Sequence, residues 1–299
     1  MSITRHLISK MAANWNEIDQ KRLAKTKLAD GVKIEKDIMY KDDGQKEQTL
    51  DIIYPESFIG KLPVIIDIHG GGFFYGDKEL NRPYCYSLAK RGFLVFTVNY
   101  RLALYDYKIP HQIQDITAAI SFVINNIKKY SGDTDNVFIT GDSAGGYFAA
   151  LSAMLVKTPR LQDVFGTVKI KLEVRAVGIV SGMMQINRKK LVFRSVRRVC
   201  LEKGYGKKEY YKDMVLEKIP EMEKFPPTFL ISSADDYLHN MTFRFVKALE
   251  KNKTRYELRY LKKEKGKKFY HIFCVNHPDR IDSVKVVDEM TDFFKSQII

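Results

Sequence analysis

Cysteine is scarce in this chain: Cys85, Cys200 and Cys274 are the only three among 299 residues. The number is odd, the spacing is wide and no Cys-x-x-Cys occurs, so neither a disulfide framework nor a zinc site is indicated. Three isolated thiols read as packing residues. Long apolar runs are missing as well. No stretch approaches the roughly 18 residues of a membrane-spanning helix, so stable membrane insertion is not expected. Met1 to Asp19 is interrupted by Arg5, His6, Lys10, Asn14 and Glu17. It lacks the continuous apolar core of a secretory signal, and the reading is cytoplasmic. No internal repeat and no low-complexity linker is present. With 45% hydrophobic and 29% charged residues, the composition is that of an ordinary globular chain and excludes disordered and collagen-like classes.

Acidic residues are outnumbered, 36 against 50 Lys and Arg, for a net charge of +14. Two segments carry the excess. Arg188 to Lys208 holds nine basic residues and Glu202, and Lys251 to Lys268 holds nine with Glu257 and Glu264; the remainder is nearly neutral. Such patches can attract nucleic acid, anionic lipid or an acidic substrate. No nucleic-acid-binding motif accompanies them, so they read as solvated lysine-rich surface with no nucleic-acid partner.

Runs rich in β-branched and aromatic residues occur at Val32–Tyr40, Leu50–Tyr54, Val64–Ile68, Phe93–Tyr100, Val137–Thr140, Val174–Val180, Thr228–Ile231 and Tyr256–Leu261. Several are continuously apolar, as strands buried on both faces of a parallel sheet are. Helical patterns lie between them. Pro110 opens one, followed by Ile113, Ile116, Ala119, Ile120, Val123 and Ile127; others span Ala144 to Val156, Tyr237 to Glu250 and Ile281 to Phe294. The alternation predicts an α/β doubly wound sheet. The first two strands, joined only by Lys41 to Thr49, are expected as an antiparallel edge pair.

Two stretches fall outside the alternation. In the first, Ile3, Leu7, Ile8, Met11, Trp15 and Ile18 share one side of a helix; Trp15 there is either packing or part of a substrate pocket. The second is the long basic stretch Met183 to Phe225. Extras of this kind usually cover the C-terminal ends of the strands, where ligands bind. The expected organisation is therefore an N-terminal cap helix region over 1–30 and a main domain over 31–299, with a cap insertion at about 183–225.

Chemistry concentrates at Thr140-Gly141-Asp142-Ser143-Ala144-Gly145-Gly146, a G-x-S-x-G sequence between an apolar strand and a small-residue helix. A serine there sits on a tight strand-to-helix turn with its hydroxyl at a helix N-terminus. Glycines two before and two after it avoid clashes with neighbouring backbone. The second feature is His69-Gly70-Gly71-Gly72-Phe73 at the end of a buried strand. Consecutive glycines let backbone N–H groups face a site unobstructed, as an oxyanion requires; no Gly-Lys-Ser/Thr follows, which excludes a P-loop. His69 reads as structural.

A serine nucleophile needs a base and an orienting acid, in the chain order Ser, Asp/Glu, His. Of the six histidines only His239, His271 and His277 follow Ser143. His271 lies after the last strand and before the last helix, where the base is expected. His277 is the reserve, and His239 falls too early. Asp235 and Asp236 both follow the strand Thr228–Ile231, and spacing does not separate them.

The chain resembles α/β-hydrolase carboxylesterases, especially the hormone-sensitive-lipase-like group and the bacterial carbohydrate-esterase-like hydrolases. The resemblance rests on HGGGF at 69–73, NYRLA at 99–103, IPHQIQDITAAISFV at 109–123, GDSAGG at 141–146, PPTFLISSADDYL at 226–238 and HIF at 271–273. It implies a mostly parallel eight-stranded sheet with helices on both faces and a small helical cap. It also implies Ser143 as nucleophile, His271 as base, Asp236 rather than Asp235 as the acid, and the N–H groups of Gly71, Gly72 and Ala144 as oxyanion donors. The group often has Gly at position 272 and Asp at 240, where this chain has Ile272 and Asn240.

The expected reaction is hydrolysis of short-chain acyl esters through an acyl-enzyme, with no metal or organic cofactor. A serine peptidase of the same fold and a non-catalytic binding module are the alternatives. An acetylated or feruloylated sugar is within the implied substrate range. An anionic ester is a further option, because Arg188–Lys208 falls in the cap. The expected partner is a small-molecule ester; the oligomeric state is not readable, and a homodimer is compatible with the sequence.

Overall fold

The computed structural model of the chain describes residues 3–26, 28, 30–42, 45–186 and 191–299. The elements in chain order are α1 (Ile3–Leu23), β1 (Val32–Met39), β2 (Thr49–Pro55), β3 (Leu62–Ile68), α2 (Lys78–Ala89), β4 (Leu94–Val98), α3 (Ile109–Asn126), β5 (Gly132–Asp142), α4 (Ser143–Leu155), α5 (Pro159–Phe165), β6 (Val174–Val180), α6 (Leu191–Cys200), α7 (Tyr210–Asp213), β7 (Thr228–Ser233), α8 (His239–Lys251), β8 (Tyr256–Leu261), α9 (Phe273–Asn276) and α10 (Ile281–Lys295).

The eight strands form one sheet in the order β1-β2-β4-β3-β5-β6-β7-β8. β1 with β2 and β2 with β4 pair antiparallel, and all later pairs are parallel. This is the α/β-hydrolase fold, with the edge pair at the expected end. Side-chain direction follows the period of two of a strand. Val64, Ile66 and Ile68 pack in one cluster with apolar residues of α3, α4, α5 and α8, while Ile65 points into the other with α2, α9 and α10. Both faces of the sheet are thus covered, which is why the central strands are apolar throughout.

Some elements differ from expectation. β5 starts at Gly132, ahead of its apolar run, because Leu62 pairs with Gly132 across the β3–β5 boundary. α2 carries Pro83 in its interior, a residue that reads as a helix breaker. Its start is fixed instead by the Asp77 side chain, which accepts from the Glu79 N–H at 2.9 Å.

α1 is pinned to the body at both ends. Arg5 binds the Asp106 carboxylate and the Leu104 carbonyl, each at 2.6 Å. Near the other end, Tyr75 donates to Asp19 at 3.0 Å, and the Arg22 guanidinium reaches Asp19, Leu80 O and, at 3.4 Å, Asn276 O. Between these, Ile8 and Ala12 are buried. Among the described residues, no helix is long and apolar enough to cross a membrane.

Candidate functional site

The strand-to-helix junction after β5 places Ser143. Asp142 is still extended, at φ −114° and ψ 148°, whereas Ser143 has φ 51°, a left-handed conformation uncommon for a non-glycine residue. A Cβ on Gly141 would lie 2.4 Å from Gly145 O, and one on Gly145 would lie 1.9 Å from Ile68 O. The spacing of glycines around the serine therefore follows from backbone contact, as expected from the sequence. Ser143 O accepts from Met183 N–H at 2.7 Å, tying the turn to the start of the 183–225 stretch.

The loop after β7 and the loop after β8 bring two further side chains to the serine. Ser143 Oγ lies 2.9 Å from His271 Nε2, and His271 Nδ1 lies 2.9 Å from Asp236 Oδ1. Asp236 also accepts from Leu238 N–H at 2.9 Å and from Ser232 Oγ at 3.2 Å. Burial on its own would raise the Asp236 pKa, but His271 foremost, then the Leu238 N–H and Ser181, bring it below the ordinary carboxylate value. It is ionised and fully partnered, suited to holding the imidazole in one orientation.

Asp235 faces elsewhere. Its Oδ2 accepts from Phe269 N–H at 3.2 Å, and Lys268 Nζ is 3.6 Å from Oδ1, so it anchors the loop that carries His271. His277 and His239 are outside this constellation: His277 lies exposed just after α9, with its pKa lowered by partial desolvation and the nearby Arg22 and Arg280, and His239 opens α8 beside Phe243 and Tyr260.

The glycine loop lies opposite. Gly71 has φ 105° and Gly72 φ 62°, and Gly71 O accepts from both Phe74 and Tyr75 N–H groups. A Cβ on Gly71 would sit 1.8 Å from Tyr75 O. Among the described residues, the N–H groups of Gly71, Gly72 and Ala144 donate to no protein acceptor; Ala144 is in the first turn of α4, where such donors are unpaired by geometry. His69 is buried, stacks on Tyr100 at 4.4 Å, and its Nδ1 is 2.8 Å from Gly70 O. Burial lowers its pKa to about 4, so the ring is a neutral structural element, as expected.

These groups open onto a cleft of about 560 Å³ lined by Gly70–Gly72, Ser143 and His271. α1 contributes Met11, Trp15, Ile18, Asp19 and Arg22 to its wall, and α6 contributes Phe193 and Val196. Trp15 thus does both things open to it: it stacks on Phe74 at 5.3 Å and lines the cleft. The basic residues of α6 behave differently. Arg194 and Arg198 are exposed, Arg197 is buried and bound to Ile186 O at 2.8 Å, and residues 187–190 lie outside the described residues. The reach of α6 into the cleft is apolar.

Sequence reasoning missed three contributors. Tyr237 covers the His271 ring at a centroid distance of 4.6 Å. Ser181, at φ 50°, accepts from the Ile272 N–H at 3.3 Å. Asn81 joins two buried carboxylates behind the glycine loop. None carries a local sequence signal, because each acts across a large chain separation. Among the described residues, no group of three or more His, Cys, Asp or Glu side chains is gathered as a metal site requires.

The comparisons with known proteins point to esterases of the same fold. Esterase B from Lactobacillus rhamnosis superposes with a TM-score of 0.89 at 28% identity, over 99% of this chain and 96% of that one. A probable isoprenylcysteine alpha-carbonyl methylesterase of Arabidopsis thaliana is 25% identical over 215 residues, 68% of this chain and 44% of the relative. Esterase LipQ of Mycobacterium tuberculosis is 37% identical over 128 residues, 41% of this chain and 30% of the relative. The chain spans less than half the length of these curated relatives. The BD-FAE family model matches residues 50–238, a span that contains the glycine loop, Ser143 and Asp236, and the chain belongs to the BD-FAE family within the α/β-hydrolase carboxylesterase group.

Proposed function

We propose that the chain is a serine carboxylesterase that hydrolyses short-chain acyl esters. The observation that carries this reading is the continuous relay Ser143 Oγ–His271 Nε2 and His271 Nδ1–Asp236 Oδ1, both at 2.9 Å. Ser143 Oγ attacks the ester carbonyl carbon as His271 Nε2 takes its proton. The carbonyl oxygen becomes an oxyanion, stabilised by the N–H groups of Gly71, Gly72 and Ala144. Such donors are each worth roughly 3 kcal/mol in related chemistry. The C–O bond to the alcohol then breaks, and the imidazolium returns its proton to the departing oxygen. Water adds to the acyl-enzyme with His271 again as base, the acid leaves, and Ser143 recovers its proton. Asp236 keeps the tautomer and stabilises the imidazolium.

The cleft walls support a small acyl group: Trp15, Phe193 and Val196 enclose it with apolar surface. An esterase B structure inhibited by a C4-C4 tributyrin phosphonate is 28% identical with a TM-score of 0.91, which favours short acyl chains here too. In this reading α1 and the 183–225 stretch act together as the cap.

The test is hydrolysis of p-nitrophenyl esters from acetate to palmitate, alongside Ser143→Ala and a matched anilide. A short-chain optimum that falls by several orders of magnitude in Ser143→Ala is the expected result. A long-chain optimum refutes the acyl assignment. Faster cleavage of the anilide makes the chain a peptidase. No turnover, with no fluorophosphonate labelling of Ser143, makes it a binding module.

A further inference from the structure

Behind the glycine loop lies a polar cluster that the reaction above does not use. Asn81, on α2, is buried and lines the cleft floor. Its Nδ2 donates to Asp142 Oδ1 at 2.8 Å and to Asp67 Oδ2 at 3.0 Å. Asp142 Oδ1 also accepts from Gly70 N–H at 3.0 Å. Asp67 Oδ2 takes two weaker donors, Thr97 Oγ1 at 3.3 Å and Cys85 Sγ at 3.4 Å. One amide thus connects two buried carboxyl groups, and one of those holds the residue that precedes Gly71 and Gly72. Asp142 is itself the residue before Ser143.

We infer that Asn81 is a positioning residue that rests on the esterase reading above: by holding the Asp142 carboxylate it fixes Gly70, and so sets the distance between the Gly71 and Gly72 donors and the Ser143 hydroxyl. The bond that matters runs from Asn81 through Asp142 to the loop, and the substrate is not part of it. Oxyanion donors act only when aimed at the oxygen's position in the transition state. A displacement of about 1 Å of such a group costs on the order of 100-fold in rate. The loss therefore belongs in kcat, because the ground-state carbonyl depends little on that aim.

The chemistry of the bridge gives it a signature that packing alone lacks. An amide NH2 can donate to two carboxyl groups at once, whereas a carboxylate in the same place repels both. A carboxylic acid there donates again once protonated. The titratable groups facing the cluster are Asp67, Asp142, Tyr84, Cys85, Tyr100, Tyr237, His271 and Cys274. Buried carboxyls next to one another hold protons to higher pH than isolated ones, and Asp67 already does so, at about 7.

The test uses the full chain with p-nitrophenyl acetate, measuring kcat and KM across pH for wild type, Asn81→Ala and Asn81→Asp, with Tm for each. The expected result is a fall in kcat of about 30- to 100-fold for Asn81→Ala with KM within about threefold. For Asn81→Asp, the activity relative to wild type rises as pH falls, because protonation restores a donor. If Asn81→Ala does not fold, the pH dependence of Asn81→Asp decides alone. Wild-type kcat in Asn81→Ala, or an Asn81→Asp ratio independent of pH, overturns the inference while leaving the esterase reading intact. Absence of any wild-type turnover overturns both.

Discussion

The two glycines that follow Ala144 are expected to respond very differently to alanine. At Gly145 the added Cβ would lie 1.9 Å from Ile68 O and 2.5 Å from His69 O. Ordinary contact needs about 3.4 Å, so α4 and the end of β3 must separate by about 1.5 Å, and neither can give easily. Every residue of α4 is buried, and β3 is paired on both sides by β4 and β5. The strain falls on His69–Gly72 and Ser143, the two groups whose separation defines the site. Overpacking of this kind costs about 1–3 kcal/mol, a drop of roughly 2–10 °C in Tm. The displacement exceeds 1 Å, so kcat should fall by on the order of 100-fold or more. At Gly146 the nearest atoms to the new Cβ are Gly182 Cα at 3.1 Å and Gly141 O and Ile179 Cγ2 at 3.2 Å. Shifts of a few tenths of an ångström relieve them, and alanine gains up to about 1 kcal/mol of helix propensity. Gly146→Ala should keep kcat within about fivefold and hold its Tm. Thermal melts and p-nitrophenyl acetate kinetics on both variants provide the assay. Equal behaviour of the two, or a Gly145→Ala enzyme with wild-type kcat, would refute the reasoning.

Asp236→Asn should lower kcat by about 10³- to 10⁴-fold, as loss of the tautomer-fixing carboxylate does in such triads. Asp235→Asn should cost less than about tenfold, because Asp235 reaches only the loop backbone and Lys268 among the described residues; comparable losses in the two would exchange their roles. Asp67→Asn addresses pH and stability. Burial, with Asp142 beside it, raises the Asp67 pKa from 3.8 to about 7, so its favourable contribution is fully present below pH 3.8 and lost as pH rises through 7. Wild type should therefore lose up to roughly 4 kcal/mol over that interval from this group, and Asp67→Asn, whose amide oxygen can still accept from Asn81, should not. Urea melts at pH 4.5 and pH 8 measure the difference; a stability gap between the proteins that does not grow with pH refutes the assignment of the proton to Asp67. His69, with its pKa lowered to about 4, works in the opposite sense: its contribution is present above 6.5 and lost as pH falls towards 4, and both variants share it.

What the sequence made legible was whatever is written in consecutive residues. The turn at Ser143 is local: an apolar strand, two flanking glycines and a helix of small residues leave the backbone one way to run. The glycine loop is local in the same sense. The choice between Asp235 and Asp236 is not, because two adjacent side chains on one loop point in different directions, and only the position of His271, 35 residues on, tells which one meets it. Asn81 is further still from local. Its place depends on the parallel register that puts Ile68 beside Gly141 and on α2 carrying Asn81 to Asp67 and Asp142, and that helix is itself hidden by Pro83. The cap shows a third limit. Nine basic residues between Arg188 and Lys208 suggest a ligand of negative charge, yet on α6 Phe193 and Val196 turn to the cleft while Arg194 and Arg198 stay in solvent. Composition reports what a segment contains, and the helical period decides which of it the substrate meets. For the same reason Arg22, which carries no local signal among the polar residues of α1, ends up in the cleft wall. It is already engaged there by Asp19 and two carbonyls, so its charge holds α1 in place, and the wall that α1 and α6 leave facing the cleft is Met11, Trp15, Ile18, Phe193 and Val196.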